Sequence, residues 1–256
     1  MANEPEQDDI AGNLIAALKG GQFILYFQAI KPIVSPGGQS SYREIFVRFL
    51  EEEQKLLPPG GFFPILEQQN LMATMDKWVI SNVIRWHAAK RKLAQKNWNN
   101  THCTINLSSD SIVGPGFANF VARQLAKSQV PPRHLLFEIS EEDVDKYALS
   151  LDQFILPLKP LGCGFVVTDY SGELVSTEML QALGINLVKI DGRIVRRIHE
   201  DEKSFADAGA IHEACREIGI RTIAELVERR ETLAKLKKIG IDYAQGYGIA
   251  KPAPLE

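Results

Sequence analysis

Glu44 and Arg48 stand four residues apart in the short, partly apolar run Ser41-Tyr42-Arg43-Glu44-Ile45-Phe46-Val47-Arg48. An isolated acid and base at that spacing is most often a solvated pair, close to neutral in energy. The run gains meaning from four later segments of similar layout, each a β-type stretch with an acid, amide or lysine near its end. They are Thr104-Ile105-Asn106-Leu107-Ser108, Leu136-Phe137-Glu138-Ile139-Ser140-Glu141, Val188-Lys189-Ile190-Asp191 and Ile223-Ala224-Glu225-Leu226-Val227-Glu228. Oxygen ligands delivered by successive strands suit a hard divalent cation and a phosphate ester. Glu225 follows an apolar pair, so its carboxylate is expected to be partly buried and in need of a partner.

Strands must position these groups. Short β-branched or aromatic runs predict strands over Phe23–Ile30, Glu44–Phe49, Cys103–Leu107, Leu135–Ile139, Phe165–Tyr170, Leu187–Ile190, Arg221–Ala224 and Tyr243–Tyr247. Helical spacing predicts helices over Met75–Lys92, Ser111–Lys127, Leu149–Leu158, Ser204–Glu217 and Glu228–Lys238. Gly162, Gly219 and Gly240 fall where helix C-termini are expected. Strand–helix alternation over this length predicts a single-domain α/β fold, a (β/α)8 TIM-like barrel, whose active sites sit at the C-terminal ends of the strands. A doubly wound sheet is the alternative, but no Gly-rich turn follows the first strand. Asn106, Glu138, Asp169, Lys189, Glu225 and Gln245 fall late in their strands or just past them; Glu44 falls at the start of its own.

The 256 residues carry a net charge of −3, which supplies no general field for nucleic acid. Cys103, Cys163 and Cys215 have neither metal nor redox spacing, and the five histidines show no zinc pattern. No apolar run is long enough to span a bilayer. The polar start, Met1 to Asp9, is unlike a signal peptide, so the expected compartment is the cytoplasm. Glu51-Glu52-Glu53 reads as a solvated turn, and Trp78 and Trp86 as core packing. Arg193, Arg196 and Arg197 read as a solvated face, and Lys189 and Asp191 as a local ion pair.

The motifs, taken in order, resemble the EAL domain, the family of bacterial cyclic di-GMP phosphodiesterases, over roughly Phe23 to Pro254. Glu44-Ile45-Phe46-Val47-Arg48 stands in place of Glu-Ala-Leu-x-Arg, and Phe27-Gln28-Ala29-Ile30 resembles Tyr-Gln-Pro-Ile. Asn106-Leu107-Ser108, Glu138-Ile139-Ser140-Glu141, Lys189-Ile190-Asp191, Ala224-Glu225-Leu226-Val227-Glu228, Gln245-Gly246-Tyr247 and Lys251-Pro252-Ala253-Pro254 follow in the family's order. The resemblance implies a domain over residues 21–256, preceded by a segment or linker over residues 1–20. It implies Glu44, Asn106, Glu138 and Asp169 as ligands to Mg2+ or Mn2+, if the protein is active. Glu225 and Lys189 would then be the catalytic pair that handles the attacking water. Cyclic di-GMP would be held by Gln28, Glu44, Phe46, Arg48, Asp169, Glu225 and Gln245. Glu141 would support the loop after the strand that ends at Tyr170.

That loop departs from the family. Thr168-Asp169-Tyr170-Ser171-Gly172-Glu173 replaces Asp-Asp-Phe-Gly-Thr-Gly, so the first of two adjacent carboxylates becomes a hydroxyl. The expected function is therefore a degenerate EAL domain that binds cyclic di-GMP as a receptor with little or no hydrolysis, a metal cofactor being expected only if it is active and none otherwise. The alternatives are an active metal-dependent phosphodiesterase yielding pGpG, and a ligand-free protein-interaction module. Expected partners are cyclic di-GMP, a protein or attached regulatory domains, and a second copy as a homodimer.

Overall fold

The computed structural model describes residues 15–18, 20–33, 41–50, 56–57, 59–93 and 98–256. Met1–Asp9, read above as polar and unlike a signal peptide, and Glu51-Glu52-Glu53, read as a solvated turn, lie outside them. Strands β1 (Phe23–Pro32), β2 (Ser41–Leu50), β4 (Thr101–Asn106), β5 (Leu135–Ser140), β6 (Gly164–Tyr170), β7 (Leu187–Ile190), β8 (Arg221–Ala224) and β9 (Tyr243–Ala244) close into a barrel. Two-residue strands β3 (Leu56–Leu57) and β10 (Ala253–Pro254) flank it. From β2 to β9 the neighbours are parallel. Among the eight barrel strands β1 runs antiparallel, to β2 on one side and β9 on the other, and the short flanking strands β3 and β10 also pair antiparallel. The predicted barrel is thus present with one reversed strand.

Alternation along the strands explains the interior. Successive side chains face opposite sides of a strand, so every second residue points inward. Ile30, Tyr42, Leu136, Val166, Leu187, Ile223 and Tyr243 form one buried apolar layer inside the barrel. Below it the Arg221 guanidinium donates to the hydroxyls of Tyr42 and Tyr243, at 2.7 and 2.8 Å, and closes that end. Two residues further along each strand come Glu44, Glu138, Thr168, Lys189, Glu225 and Gln245. On reversed β1 the matching residue is two earlier, Gln28. The polar layer and the apolar plug are the same alternation read one rung apart.

Helices α1 (Phe63–Gln68), α2 (Met72–Lys92), α3 (Ser109–Val113), α4 (Phe117–Ser128), α5 (Glu141–Lys146), α6 (Ala148–Leu158), α7 (Thr177–Leu183), α8 (Gly192–Arg197), α9 (Glu202–Glu217) and α10 (Arg230–Ile239) surround the strands. They bury a second apolar cluster on the barrel's outer face, including Ile80, Val83, Val121, Leu151 and Leu236. Gly162, Gly219 and Gly240 adopt φ of +103, +77 and +101°, as their positions after helices require.

Three expectations need correction. The helix expected over Ser111–Lys127 is two helices, because Gly114-Pro115-Gly116 interrupts it and Gly116 takes φ +79°. Glu44 is not at the start of its strand; β2 begins at Ser41, and Glu44 lies opposite Gln28 of β1. The segment before residue 21 is not wholly outside the domain, since Ala17 and Leu18 are buried and the Trp78 indole donates to Leu18 O at 3.0 Å.

Candidate functional site

Lys189 is the centre of the polar layer. Its side chain is fully buried, and Nζ lies 2.7 Å from Glu44 Oε2, 2.8 Å from Glu138 Oε2 and 3.1 Å from Glu225 Oε1. Three strands other than its own thus aim carboxylates at one ammonium. The expected local pair with Asp191 does not form, because Lys189 points into the barrel. Asp191 instead caps α8 and binds Arg193. Around Glu44, Asn106 Nδ2 donates at 2.9 Å and Gln245 Nε2 at 2.6 Å. Gln245 Nε2 also donates to Gln28 Oε1 at 3.1 Å, and Gln28 Nε2 donates to Ala250 O.

One ammonium faces three carboxylates, and the charge balance shows in their acidities. Burial works to raise the Glu44 carboxyl, but the charge of Lys189 and the donors around it hold it below its ordinary value. Burial and the adjacent Glu44 charge push Glu138 up to about 8, against the pull of Lys189. Glu225 is raised, first by burial and then by Glu44, again against Lys189. Burial opposes the charge on Lys189, yet Glu138, Glu44 and Glu225 together lift it well above its usual value.

Two cavities open over this layer. One of about 420 Å³ is lined by Gln28, Glu44, Phe46, Glu225, Gln245 and Tyr247, among others. The second, about 630 Å³, includes Glu141, Asp169, Ser171, Glu173 and Arg193 in its wall. Arg196, Glu225 and Leu226 line both. Arg48 lines neither; its guanidinium donates to Val47 O at 2.9 Å and lies over the rings of Tyr26 and Phe46. Asp169 is exposed, at φ +53°, and lines the second cavity together with Glu225, whose carboxyl its charge helps to raise. Leu226 has φ +55°. Such conformations cost a non-glycine residue of order 1–3 kcal/mol and concentrate at functional sites.

Carboxylates hold the rim loops from outside the layer. Glu141 accepts from the backbone N–H of Ser171, Gly172, Leu174 and Val175 and from the Ser171 hydroxyl, at 2.8–3.3 Å. Asp76 of α2 accepts from the N–H and hydroxyl of Ser108 and from the Ser111 hydroxyl, fixing the turn after Asn106. Burial raises the Asp76 carboxyl despite those three donors.

Comparisons with known proteins place this arrangement. The family model for the EAL domain matches residues 11–252. The chain belongs to the EAL domain family.

The cyclic di-GMP phosphodiesterase PdeB of Shewanella oneidensis is 32% identical over 96% of this chain, which covers 28% of that protein. PdeF of Escherichia coli, also named a cyclic di-GMP phosphodiesterase, is 30% identical over 90% of this chain, covering 30% of its length. The chain therefore spans less than a third of these two curated relatives. Among solved structures, the EAL domain of FimX from Pseudomonas aeruginosa bound to c-di-GMP superposes with a TM-score of 0.86 at 26% identity, covering 97% of this chain and 98% of that one. The FimX EAL domain of Xanthomonas citri superposes at 0.88 with 22% identity, over 99% and 97% of the two chains.

Within this EAL domain, sequence reasoning missed Tyr247, Leu226 and Arg196 as cavity residues. Tyr247, 63% exposed, was read only as part of a motif, and Arg196 as a solvated face. No periodicity marks them, because they sit on turns and on a short helix. Asp76 was hidden within an amphipathic helix, although a buried acid on an apolar face is itself a signal.

For Mg2+ or Mn2+, the donor chemistry fits one ion. The glutamates outnumber the ammonium, and Asn106 uses only its amide N–H2 on Glu44, which leaves its carbonyl oxygen for a cation. A second position is poorly provided for, since Thr168 brings a neutral hydroxyl where the layer would otherwise present a carboxylate. Among the described residues, no group of three or more acidic, imidazole or thiol side chains is set to hold a metal ion as it stands, the three glutamates closing on the Lys189 ammonium instead.

Proposed function

We propose that this EAL domain binds cyclic di-GMP in the cavity above Lys189 and acts as a receptor with little or no hydrolysis. The observation that carries this reading is the position of Lys189, whose ammonium stands at the focus of Glu44, Glu138 and Glu225. Thr168 supports it, because a hydroxyl screens two dications from one another far less than a carboxylate. Gln28, Phe46 and Gln245 line a cavity of suitable polarity, and the FimX relative holds c-di-GMP in its own EAL domain. In this reading Phe46 and Tyr247 offer ring faces to a base, and Gln28 and Gln245 offer amides. Glu44, Asp169 and Glu225 border the ligand, and Arg48 swings from Val47 O to a phosphate oxygen. Arg48→Ala is expected to weaken binding sharply; unchanged affinity in calorimetry would remove the nucleotide from this site. The signal would pass to a protein partner, a second copy or attached domains in the cytoplasm. Among the described residues no helix is long and apolar enough to cross a membrane.

One observation favours a second reading, an active phosphodiesterase: the surplus of carboxylates that holds Glu138 near 8. In that reading Glu44, Asn106, Glu138 and Asp169 would hold Mg2+ or Mn2+, which supplies positive charge to a phosphate oxygen. Lys189 and Glu225 would orient the attacking water and take its proton. The deciding experiment incubates excess protein with cyclic di-GMP and Mg2+, then Mn2+, and identifies the nucleotide on and off the protein by chromatography. Intact cyclic di-GMP travelling with the protein supports the receptor. Linear pGpG supports the enzyme, and free intact nucleotide rejects both.

A further inference from the structure

The two cavities over the polar layer are acidic. Glu44, Glu225 and Glu228 line the one of about 420 Å³, and Glu141, Asp169 and Glu173 join Glu225 in the wall of the one of about 630 Å³. A cyclic dinucleotide carries two phosphodiesters, each with a full negative charge, so it settles among these carboxylates only where positive charge meets it. Lys189 does not meet it, because its ammonium lines neither cavity and already faces three glutamates.

Among the described residues, the basic side chains lining either cavity are Arg193 and Arg196, and Arg196 alone lines both. They stand three residues apart on α8 and so share one face of that helix. Their commitments differ. Arg193 closes on the Asp191 carboxylate, with Nε donating to Oδ2 at 2.8 Å. Arg197, the third arginine of α8, lies 3.6 Å from Asp201 and lines neither cavity. Arg196 is exposed and makes no ion pair or hydrogen bond with any described residue. It is an uncommitted guanidinium in the wall common to both cavities.

We propose that Arg196 is a phosphate-binding residue, which holds one phosphodiester of cyclic di-GMP where the two cavities adjoin while Arg48 takes the other. This rests on the nucleotide-binding reading above. Arg48 belongs to β2, and Arg196 to the helix that follows β7. In the closed order of the eight barrel strands, β2 and β7 are four strands apart in either direction. The two cations therefore come from opposite walls, and a ring with a phosphate on each side presents one to each. Each guanidinium brings a planar fork of N–H donors, the geometry that phosphate oxygens accept in pairs.

The test is calorimetric titration of cyclic di-GMP, in EDTA and again in Mg2+, against the wild-type chain, Arg196→Ala, Arg196→Lys, Arg197→Ala, Arg48→Ala and the Arg48→Ala/Arg196→Ala double variant. Arg196→Ala removes an exposed, unpaired side chain, so its Tm should match wild type. Wherever the wild type binds, affinity in this variant should fall about tenfold to a hundredfold, the range for a hydrogen bond to a charged group. Arg196→Lys should recover part of that loss, since it keeps the charge and loses the fork. Arg197→Ala removes the same charge from the same helix, outside both cavities, and should stay within about twofold of wild type because solvent screens it. In the double variant the two losses should multiply, as they do for groups that share no partner. Wild-type affinity in Arg196→Ala, an equal loss in Arg197→Ala, or a double variant no weaker than Arg48→Ala would overturn the assignment. A wild-type chain that binds cyclic di-GMP in neither medium would instead remove the function on which it rests.

Discussion

Replacing Lys189 by Met tests the central claim about the site. Methionine matches the length of the lysine stem but removes the ammonium that faces Glu44, Glu138 and Glu225 at 2.7, 2.8 and 3.1 Å. Glu44 would keep Asn106 and Gln245 as donors. Glu138, fully buried and already pushed up to about 8, would lose its charged partner. Breaking a buried pair from one side costs about 3–5 kcal/mol. For a domain of this size that is a fall in Tm of roughly 6–20 °C. The pH dependence fixes the sign. Carboxyls whose folded acidity is weakened by burial bind more protons folded than unfolded, so their stability is present at low pH and lost as pH rises through the raised value. In Lys189→Met all three move that way, and the deficit against wild type should be larger at about pH 8 than at about pH 5. Urea unfolding at the two pH values measures it. A loss under about 1 kcal/mol at the higher pH, or a larger loss at the lower, would refute the claim that Lys189 neutralises this layer.

Three further outcomes are expected. Glu141→Ala leaves four backbone donors and a hydroxyl without their acceptor. It should destabilise the chain by about 2–4 kcal/mol and strip hydrogen-exchange protection from Ser171, Gly172, Leu174 and Val175; protection at the wild-type level would refute the anchoring role. His87 and His134 stack with ring centroids 4.9 Å apart, and burial lowers them to about 3 and about 4. Their stabilisation is present above the unfolded value and lost as pH falls from about 6.5 toward 4, so His87→Phe should flatten that part of the stability profile in acid titration. Gly246→Ala would place a Cβ 2.3 Å from Val227 N and O at φ +148°. It should displace the turn carrying Glu225 and Leu226 and lower Tm by several degrees, whereas a wild-type melt would mean that turn is not fixed there.

Much of this was legible in the chain itself. The barrel could be read because each strand is a short apolar run, and the polar layer because most strands end in a polar group after an apolar one. The layering was present as well: Leu136 and Glu138, Leu187 and Lys189, Ile223 and Glu225 are each two apart, the inward period of a strand. The reversal of β1 was not legible, since an apolar run carries no sign of direction. Nor was the role of Lys189, because Glu44 lies 145 residues away and the pair is made by barrel closure. The break at Gly114-Pro115-Gly116 was written in plain residues, and apolar spacing across it concealed the interruption.

The reversed first strand has a mechanical consequence. Phe23 pairs with Phe49 at the end of β2 that faces the site, so the chain before β1 meets the barrel at its mouth and not at its base. A pull along the axis of β1 loads its eight rungs with β2, from Phe23↔Phe49 to Ile30↔Tyr42, together in shear. Rungs loaded in parallel share the force, whereas a strand peeled from one end yields rung by rung. Gln28, opposite Glu44 within that series, is held in place against tension from upstream. Motion along that axis would reach the cavity lined by Gln28 and Glu44 as displacement of the whole barrel, without dragging one contact out of register.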